Sequence, residues 1–354
     1  MTKNHNFYLD LAYQLAEINL GKTGLNPSVG AVVVKNNCVI SSGITSYNGR
    51  PHAEFNALTK IKNCAGASLY TSLEPCVHYG KTQPCTKIIS KKKIKKVYYG
   101  SYDPDIRSYK KAKSTLNKKA IDVKKINSKN YKNFYRSYFI NKKLQIPFIS
   151  AKIALSNDFL SINYKKKWIT NESSRKIVHL LRSRYDCVLS TSKTINLDNS
   201  LLNCRIDGLD KFKPDLFIID LNLKLKKNLL LNKIIKKRKT YIITNISNLK
   251  RVSVYKNKGY KFIFIKALKD KKDFILLYKK IYKLGYSRVL LETGLIFLNT
   301  VMKNKLINNL YFFKSNKNLK KIGKNNISPN FLKKIRFKPI SIYLNSDKLF
   351  IKKF

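Results

Sequence analysis

The sequence predicts an α/β protein built as two domains, and three observations lead there. A chain of 354 residues is long for a single hydrophobic core. Short runs rich in β-branched and aromatic residues alternate with helical apolar spacing in both halves. Between the halves, Tyr102 to Lys143 is lysine-rich with weak periodicity, and a fresh apolar run opens at Ile146. The boundary falls near Gln145, giving domains of residues 1–145 and 146–354.

Taken in order, residues 7–20 (FYLDLAYQLAEINL) place apolar side chains at helical spacing and end at Gly21. GAVVVKNNCVISSGI (30–44) is two β-rich runs around Lys-Asn-Asn, a hairpin. A helix follows at 53–61, a strand at 67–73, a helix at 86–94 and a strand at 96–101. In the second half, 146–156, 186–191, 215–220, 240–244, 261–265 and 288–294 read as short buried strands separated by helices or loops. The last 40 residues are too basic and irregular to assign.

Composition narrows the class. No run of 18 residues is apolar and uncharged, which argues against a membrane span, and the N-terminus lacks a secretory pattern. The six cysteines are widely spaced, so a disulfide framework is not expected and the chain is placed in the cytoplasm. The net charge of +54 invites a nucleic-acid role. However, the lysines run from Lys3 to Lys353 among abundant Asn, Ile and Tyr, and arginine, the better fork for phosphate, is scarce. That pattern matches a compositional bias of the coding sequence, and no specific nucleic-acid partner is expected.

The chemistry concentrates in RPHAEFNAL (50–58) and SLEPCVHYGKTQPC (72–85). His52, Cys76 and Cys85 are three ligands suited to one zinc ion, with a fourth position left for water. Such a position belongs to a catalytic site, because zinc makes water acidic near neutral pH. Glu54 lies two residues from His52 and is cast as the proton carrier, the catalytic residue. Both ligand segments open helices, where the dipole favours thiolate.

His-x-Glu with a later Pro-Cys is the zinc-deaminase pattern, although eight residues rather than two separate the thiols here. That departure, in LEPCVHYGKTQPC, resembles the bifunctional riboflavin-biosynthesis deaminase–reductases. GKTGLNPSVGAVVVKNN (21–37), GRPHAEFNAL and DPD (103–105) are similar to further segments of that family. The resemblance implies a three-layer, cytidine-deaminase-like first domain, with Asn26, His78 and Lys81 binding substrate. Two departures stand out: Thr45 where the family usually has histidine, and IRSYKKAK (106–113) in place of glycines.

The second half resembles the family's reductase in IPFISAKIALSND, WIT, LLRSRYDCVLSTSKTINLDNSLLNCR and VLLETG. The implied fold is dihydrofolate-reductase-like and the implied cofactor NADPH; no Gly-x-Gly-x-x-Gly motif contributes. Carried over by position, Ala154, Trp168, Thr194, Asp198, Leu221 and Gly294 contact NADPH. Lys152, Lys166, Arg182, Leu202, Arg205 and Glu292 contact substrate. Read singly, Trp168 and Leu202 also fit a core, Arg182 and Arg205 a solvated surface, and Glu292 a strand-end ion pair. Phe159 replaces the glycine of a tight turn, Lys166 a common serine, Leu221 a small polar residue, and Asn308–Asn309 an acidic pair.

The expected activity is zinc-dependent hydrolytic deamination of a phosphorylated ribosylamino-pyrimidinone, followed by NADPH reduction of its ribosyl chain. Two alternatives stay open: a deaminase whose second half is structural, and a nucleic-acid base deaminase. Homo-oligomerisation is compatible with the sequence and not fixed by it.

Overall fold

A computed structural model of the chain describes residues 4–127, 131, 133–209 and 214–354. It divides into two compact units, Met1–Ile146 and Pro147–Phe354. Among the described residues, no helix is long and apolar enough to cross a membrane.

The first unit opens with α1 (His5–Ile18). The Asn4 side chain caps it by accepting from Phe7 N–H, and Leu9, Ala12, Tyr13 and Ala16 form its buried stripe. Asn19 is the C-cap, so the helix closes before Gly21. β1 (Gly30–Lys35) and β2 (Cys38–Ile44) form the expected hairpin. Asn36 and Asn37 turn it with φ of 51° and 61°, the left-handed pair that matches strand twist. There follow α2 (Ala53–Thr59), β3 (Ser68–Leu73), α3 (Cys85–Lys91), β4 (Lys96–Ser101), α4 (Ala112–Asn117), β5 (Asp122–Lys125) and α5 (Arg136–Leu144).

The sheet runs β2-β1-β3-β4-β5, with β3, β4 and β5 parallel. Val32, Val34, Tyr70 and Tyr98 share a cluster with Ala12 of α1. Ala31, Val33, Leu69 and Val97 join Ala53 and Ala57 of α2 and Ile88 and Ile89 of α3. Successive strand residues thus serve opposite faces, giving three layers. A Cβ on Gly43 would overlap the backbone of Ala53 and Ala57, so glycine there lets α2 lie directly on β2. The elements α4, β5 and α5 lie where the sequence shows only weak periodicity. Their buried residues are few (Ala112 and Leu116; Val123; Ser137, Tyr138 and Asn141), and lysines dilute the pattern.

The second unit comprises β6 (Phe148–Leu155), β7 (Ile162–Asn163), α6 (Glu172–Ser183), β8 (Cys187–Thr191), α7 (Ser192–Asp198), β9 (Asp215–Ile219) and β10 (Thr240–Asn245). It continues with α8 (Ser253–Asn257), β11 (Lys261–Ile265), α9 (Lys271–Lys283), β12 (Arg288–Glu292), α10 (Leu295–Lys303), β13 (Asn309–Lys314), β14 (Gly323–Lys324), α11 (Asn330–Lys333) and β15 (Lys348–Lys353). The main sheet runs β11-β10-β9-β8-β12-β6-β13-β15 and is parallel except for β15. β12 is inserted between β6 and β8. Buried on both faces, these strands read as continuous apolar runs.

Phe159 adopts φ 64° in the turn after β6. Left-handed backbone costs a non-glycine residue roughly 1–2 kcal/mol. Asn325 Nδ2 donates to the Phe159 carbonyl at 2.8 Å, and its ring lies against Phe312. The unassigned C-terminal stretch supplies the edge strand β15, where Phe350 stacks on Phe312 at 5.6 Å.

Candidate active sites

In the first unit, β2 and the loop after it deliver His52 to the N-terminus of α2. Asn56 fixes that loop: its Nδ2 donates to the Ile44 carbonyl at 2.7 Å and to Ser46 Oγ at 2.9 Å. Glu54 sits in the first helical turn, buried. Cys76 follows β3, and Cys85 is the first residue of α3. The Cys85 N–H donates to Cys76 Sγ at 3.3 Å, so the α3 terminus supports a thiolate.

His52 Nδ1 lies 3.3 Å from Cys85 Sγ and 3.6 Å from Cys76 Sγ, and the three ligand atoms fall within 4.8 Å of one another. Tetrahedral zinc with ordinary bond lengths separates a nitrogen and a sulfur ligand by about 3.6 Å, so the donor set fits that ion. Cys85 and His52 pull the Cys76 thiol down to about 4. Contact with Cys76 and burial push Cys85 the other way. Burial, reinforced by Cys76, raises the Glu54 carboxyl to about 7. Glu54 Oε2 accepts from Cys85 Sγ at 3.4 Å, which puts the carboxylate against the ligand cluster.

Asn26 donates through Nδ2 to the Gly49 carbonyl at 3.1 Å, leaving Oδ1 as its acceptor end. His78 Nδ1 meets Ser108 Oγ at 2.8 Å, and Lys81 is exposed in the loop between the thiols. Thr45, in place of the family histidine, is buried and structural. Its hydroxyl oxygen accepts from Val29 N–H and its carbonyl from Asn19 Nδ2, tying β2 to α1 and β1.

In the second unit, Lys152 on β6 and Glu292 on β12 are register partners. Arg182 on α6 forks onto Glu292, with Nε–Oε1 at 2.6 Å and Nη2–Oε2 at 2.9 Å, both side chains buried. Burial alone would raise Glu292, yet Arg182 holds it below the usual carboxylate range. Lys152 is lowered by desolvation, against the pull of Glu292. Arg182 Nη1 donates to the Asn203 carbonyl at 3.1 Å, and Arg205 Nη1 to Asn203 Oδ1 at 2.9 Å. Leu202 is buried with φ 48° and turns the chain into this knot.

Two residues absent from the sequence assignment join the cluster. Asn203 bridges the arginines, and His179 Nδ1 donates to the Asn203 carbonyl at 3.0 Å. Desolvation, with Arg182 and Arg205 nearby, lowers His179 to about 4. Its position three residues before Arg182, one turn away on α6, was the available signal.

Thr194, Leu221 and Gly294 follow the carboxyl ends of β8, β9 and β12, the edge where open α/β sheets hold ligands. Thr194 Oγ1 pairs with Thr191 at 3.0 Å, and the Leu221 carbonyl accepts from Asn248 at 2.7 Å. Ala154 lies on β6. Asp198 ends α7, where its charge reaches Lys152. Trp168 is half exposed rather than core, and Arg175 stacks 5.0 Å from its ring. Lys166 is exposed on the same loop. Among the described residues, no hydrogen bond joins Trp168 or Lys166 to the Arg182–Glu292 knot.

A three-layer unit with a His-Cys-Cys-Glu cluster, followed in the same chain by a mainly parallel α/β unit with a cationic knot at its strand ends, defines a two-domain deaminase–reductase. Residues 2–101 match the cytidine and deoxycytidylate deaminase zinc-binding region, and residues 147–318 the RibD C-terminal domain. The riboflavin biosynthesis protein RibD of Aquifex aeolicus (strain VF5) is 30% identical over 312 residues, covering 86% of this chain and 85% of that one. That of Actinobacillus pleuropneumoniae is 28% identical over 310 residues, covering 86% and 82%. The solved Acinetobacter baumannii RibD (form 2) superposes with TM-score 0.85 at 24% identity, over 99% of this chain and 98% of that one. A Thermotoga maritima structure, described as a diaminohydroxyphosphoribosylaminopyrimidine deaminase/5-amino-6-(5-phosphoribosylamino)uracil reductase, gives 0.81 at 24% identity, over 99% and 98%. The chain belongs to the RibD family of riboflavin biosynthesis proteins. It carries that family's bifunctional architecture, a zinc-binding deaminase domain followed by a reductase domain.

Proposed function

We propose that residues 1–145 deaminate the diaminohydroxyphosphoribosylaminopyrimidine named for the Thermotoga relative, and that residues 146–354 reduce the resulting 5-amino-6-(5-phosphoribosylamino)uracil with NADPH. The observation that carries this is the placement of buried Glu54, 3.4 Å from Cys85, against three ligand atoms that fit zinc.

His52, Cys76 and Cys85 would hold the metal, which supplies Lewis acidity to water and substrate. Glu54, raised to about 7 by burial, exchanges a proton near neutral pH: its carboxylate accepts one, and its acid form hands it to the departing amino nitrogen. Asn26 offers Oδ1 to a ring N–H, His78 binds a substrate oxygen, and Lys81 meets the phosphate.

In the second unit, Arg182, Arg205 and Lys152 supply cations for the phosphorylated ribose. Glu292 keeps Arg182 and Lys152 in place, Leu202 shapes the wall, and Lys166 adds charge from the loop. Ala154, Trp168, Thr194, Asp198, Leu221 and Gly294 are assigned to NADPH, which itself carries the hydride chemistry. The six free cysteines support a reducing, cytoplasmic setting.

The test supplies purified protein with the pyrimidine substrate, with and without NADPH, and identifies products by mass. Exchange of an amino group for oxygen without NADPH, and a further two-hydrogen gain with it, is expected. Deamination without reduction would leave the second unit a structural role.

A further inference from the structure

We infer that Ser108 is a positioning residue of the deaminase half, one that fixes which nitrogen of His78 carries the proton. The inference rests on the deaminase function proposed above and deepens it. Ser108 lies in the segment that replaces the family's glycines, and it is fully buried. Its Oγ accepts from the Val77 N–H at 3.2 Å and lies 2.8 Å from His78 Nδ1. Among the described residues the Ser108 hydroxyl meets no other acceptor. If His78 Nδ1 carried the proton, the oxygen would accept twice and its own hydrogen would be buried unpaired, at a cost. The hydroxyl therefore donates to Nδ1, and His78 presents a neutral Nε2–H.

The segment around Ser108 is held rigidly enough to enforce this. The buried Glu74 carboxylate accepts from the N–H groups of Asp103 (3.2 Å), Lys110 (3.0 Å) and Ala112 (3.1 Å). Ser108 N–H donates to the Asp105 carbonyl at 2.8 Å, and the Asp105 carboxylate is gripped by Arg107 and Lys142. A serine hydroxyl on this frame turns His78 into a donor for a carbonyl or phosphate oxygen of the pyrimidine substrate. A histidine free to swap tautomers would present that donor only part of the time.

The experiment reads the histidine ring nitrogens by long-range ¹H–¹⁵N correlation in zinc-loaded protein, assigned with His78→Gln, alongside deamination kinetics. Expected is a proton on Nε2 in the natural protein and a mixture of tautomers in Ser108→Ala. Its KM should rise about two- to tenfold, with kcat and zinc content nearly unchanged. Should alanine lose zinc, Ser108→Cys replaces it, with an intermediate mixture expected. A proton on Nδ1 in the natural protein, or a KM unmoved in a zinc-loaded variant, overturns the inference. Absence of ammonia release from the natural protein overturns the proposed substrate instead, and the ring-nitrogen spectrum still judges the Ser108–His78 pairing.

Discussion

Removing Glu292 should damage the second unit more than removing Arg182, its partner. The two side chains make a buried bidentate pair at 2.6 and 2.9 Å. Breaking one side of such a pair costs about 3–5 kcal/mol, because the other charge stays buried. The two halves are unequal here. In Arg182→Met, Glu292 keeps Lys152, its register partner on the adjacent strand, and the loss should be roughly 2 kcal/mol. In Glu292→Gln, Arg182 loses its carboxylate partner and Lys152 keeps only the influence of Asp198, so the full 3–5 kcal/mol is expected, about 6–20 °C for a domain of this size. Trp168, the only tryptophan in the chain, lies in this unit, so its fluorescence in urea reports the unit selectively. A Glu292→Gln midpoint equal to or above that of Arg182→Met would refute the reasoning.

Glu54→Gln should retain zinc and lower ammonia release by roughly 10²–10⁴-fold; elemental analysis and an ammonia assay check both, and retained turnover removes Glu54 from the mechanism. Cys85→Ser should lose most of its zinc and destabilise the first unit, since the thiolate is one of the three protein ligands proposed above. Unchanged zinc content contradicts that ligand assignment. Arg205→Ala should reduce kcat/KM for reduction by about 10- to 100-fold while sparing deamination, and equal loss of both activities argues against separate sites. Asp105, held well below the usual carboxylate range by the Arg107 fork and Lys142, contributes stability above about pH 4 that is lost as pH falls toward its lower folded value. Hydrogen exchange of the 103–112 backbone should therefore be faster in Asp105→Asn at pH 7, and the difference should shrink below pH 4. The difference should still be present at pH 3, where the folded carboxyl keeps its charge, and a difference already gone at pH 4 sinks the account.

Motif chemistry and local pattern reached far into this protein. The hairpin at Asn36–Asn37, the buried parallel strands and the grouping of His52, Cys76 and Cys85 all follow from side-chain period, turn residues and ligand type, which are written along the chain. The turn at Phe159 was flagged only by the resemblance, which left a different or a strained backbone open, and the structure shows the strained one, with φ 64°. The elements α4, β5 and α5 were not legible, since their few buried side chains are diluted by lysine.

What only the folded chain decided is which polar groups meet across long separations. Trp168 is exposed, Thr45 ties strands together, Asn203 gathers His179, Arg182 and Arg205, and Ser108 faces His78 across 30 residues. Periodicity reports which side a residue takes on its own element. It carries no information about which loop arrives opposite, and a hydrogen bond acts only between groups that tertiary packing has brought within about 3 Å.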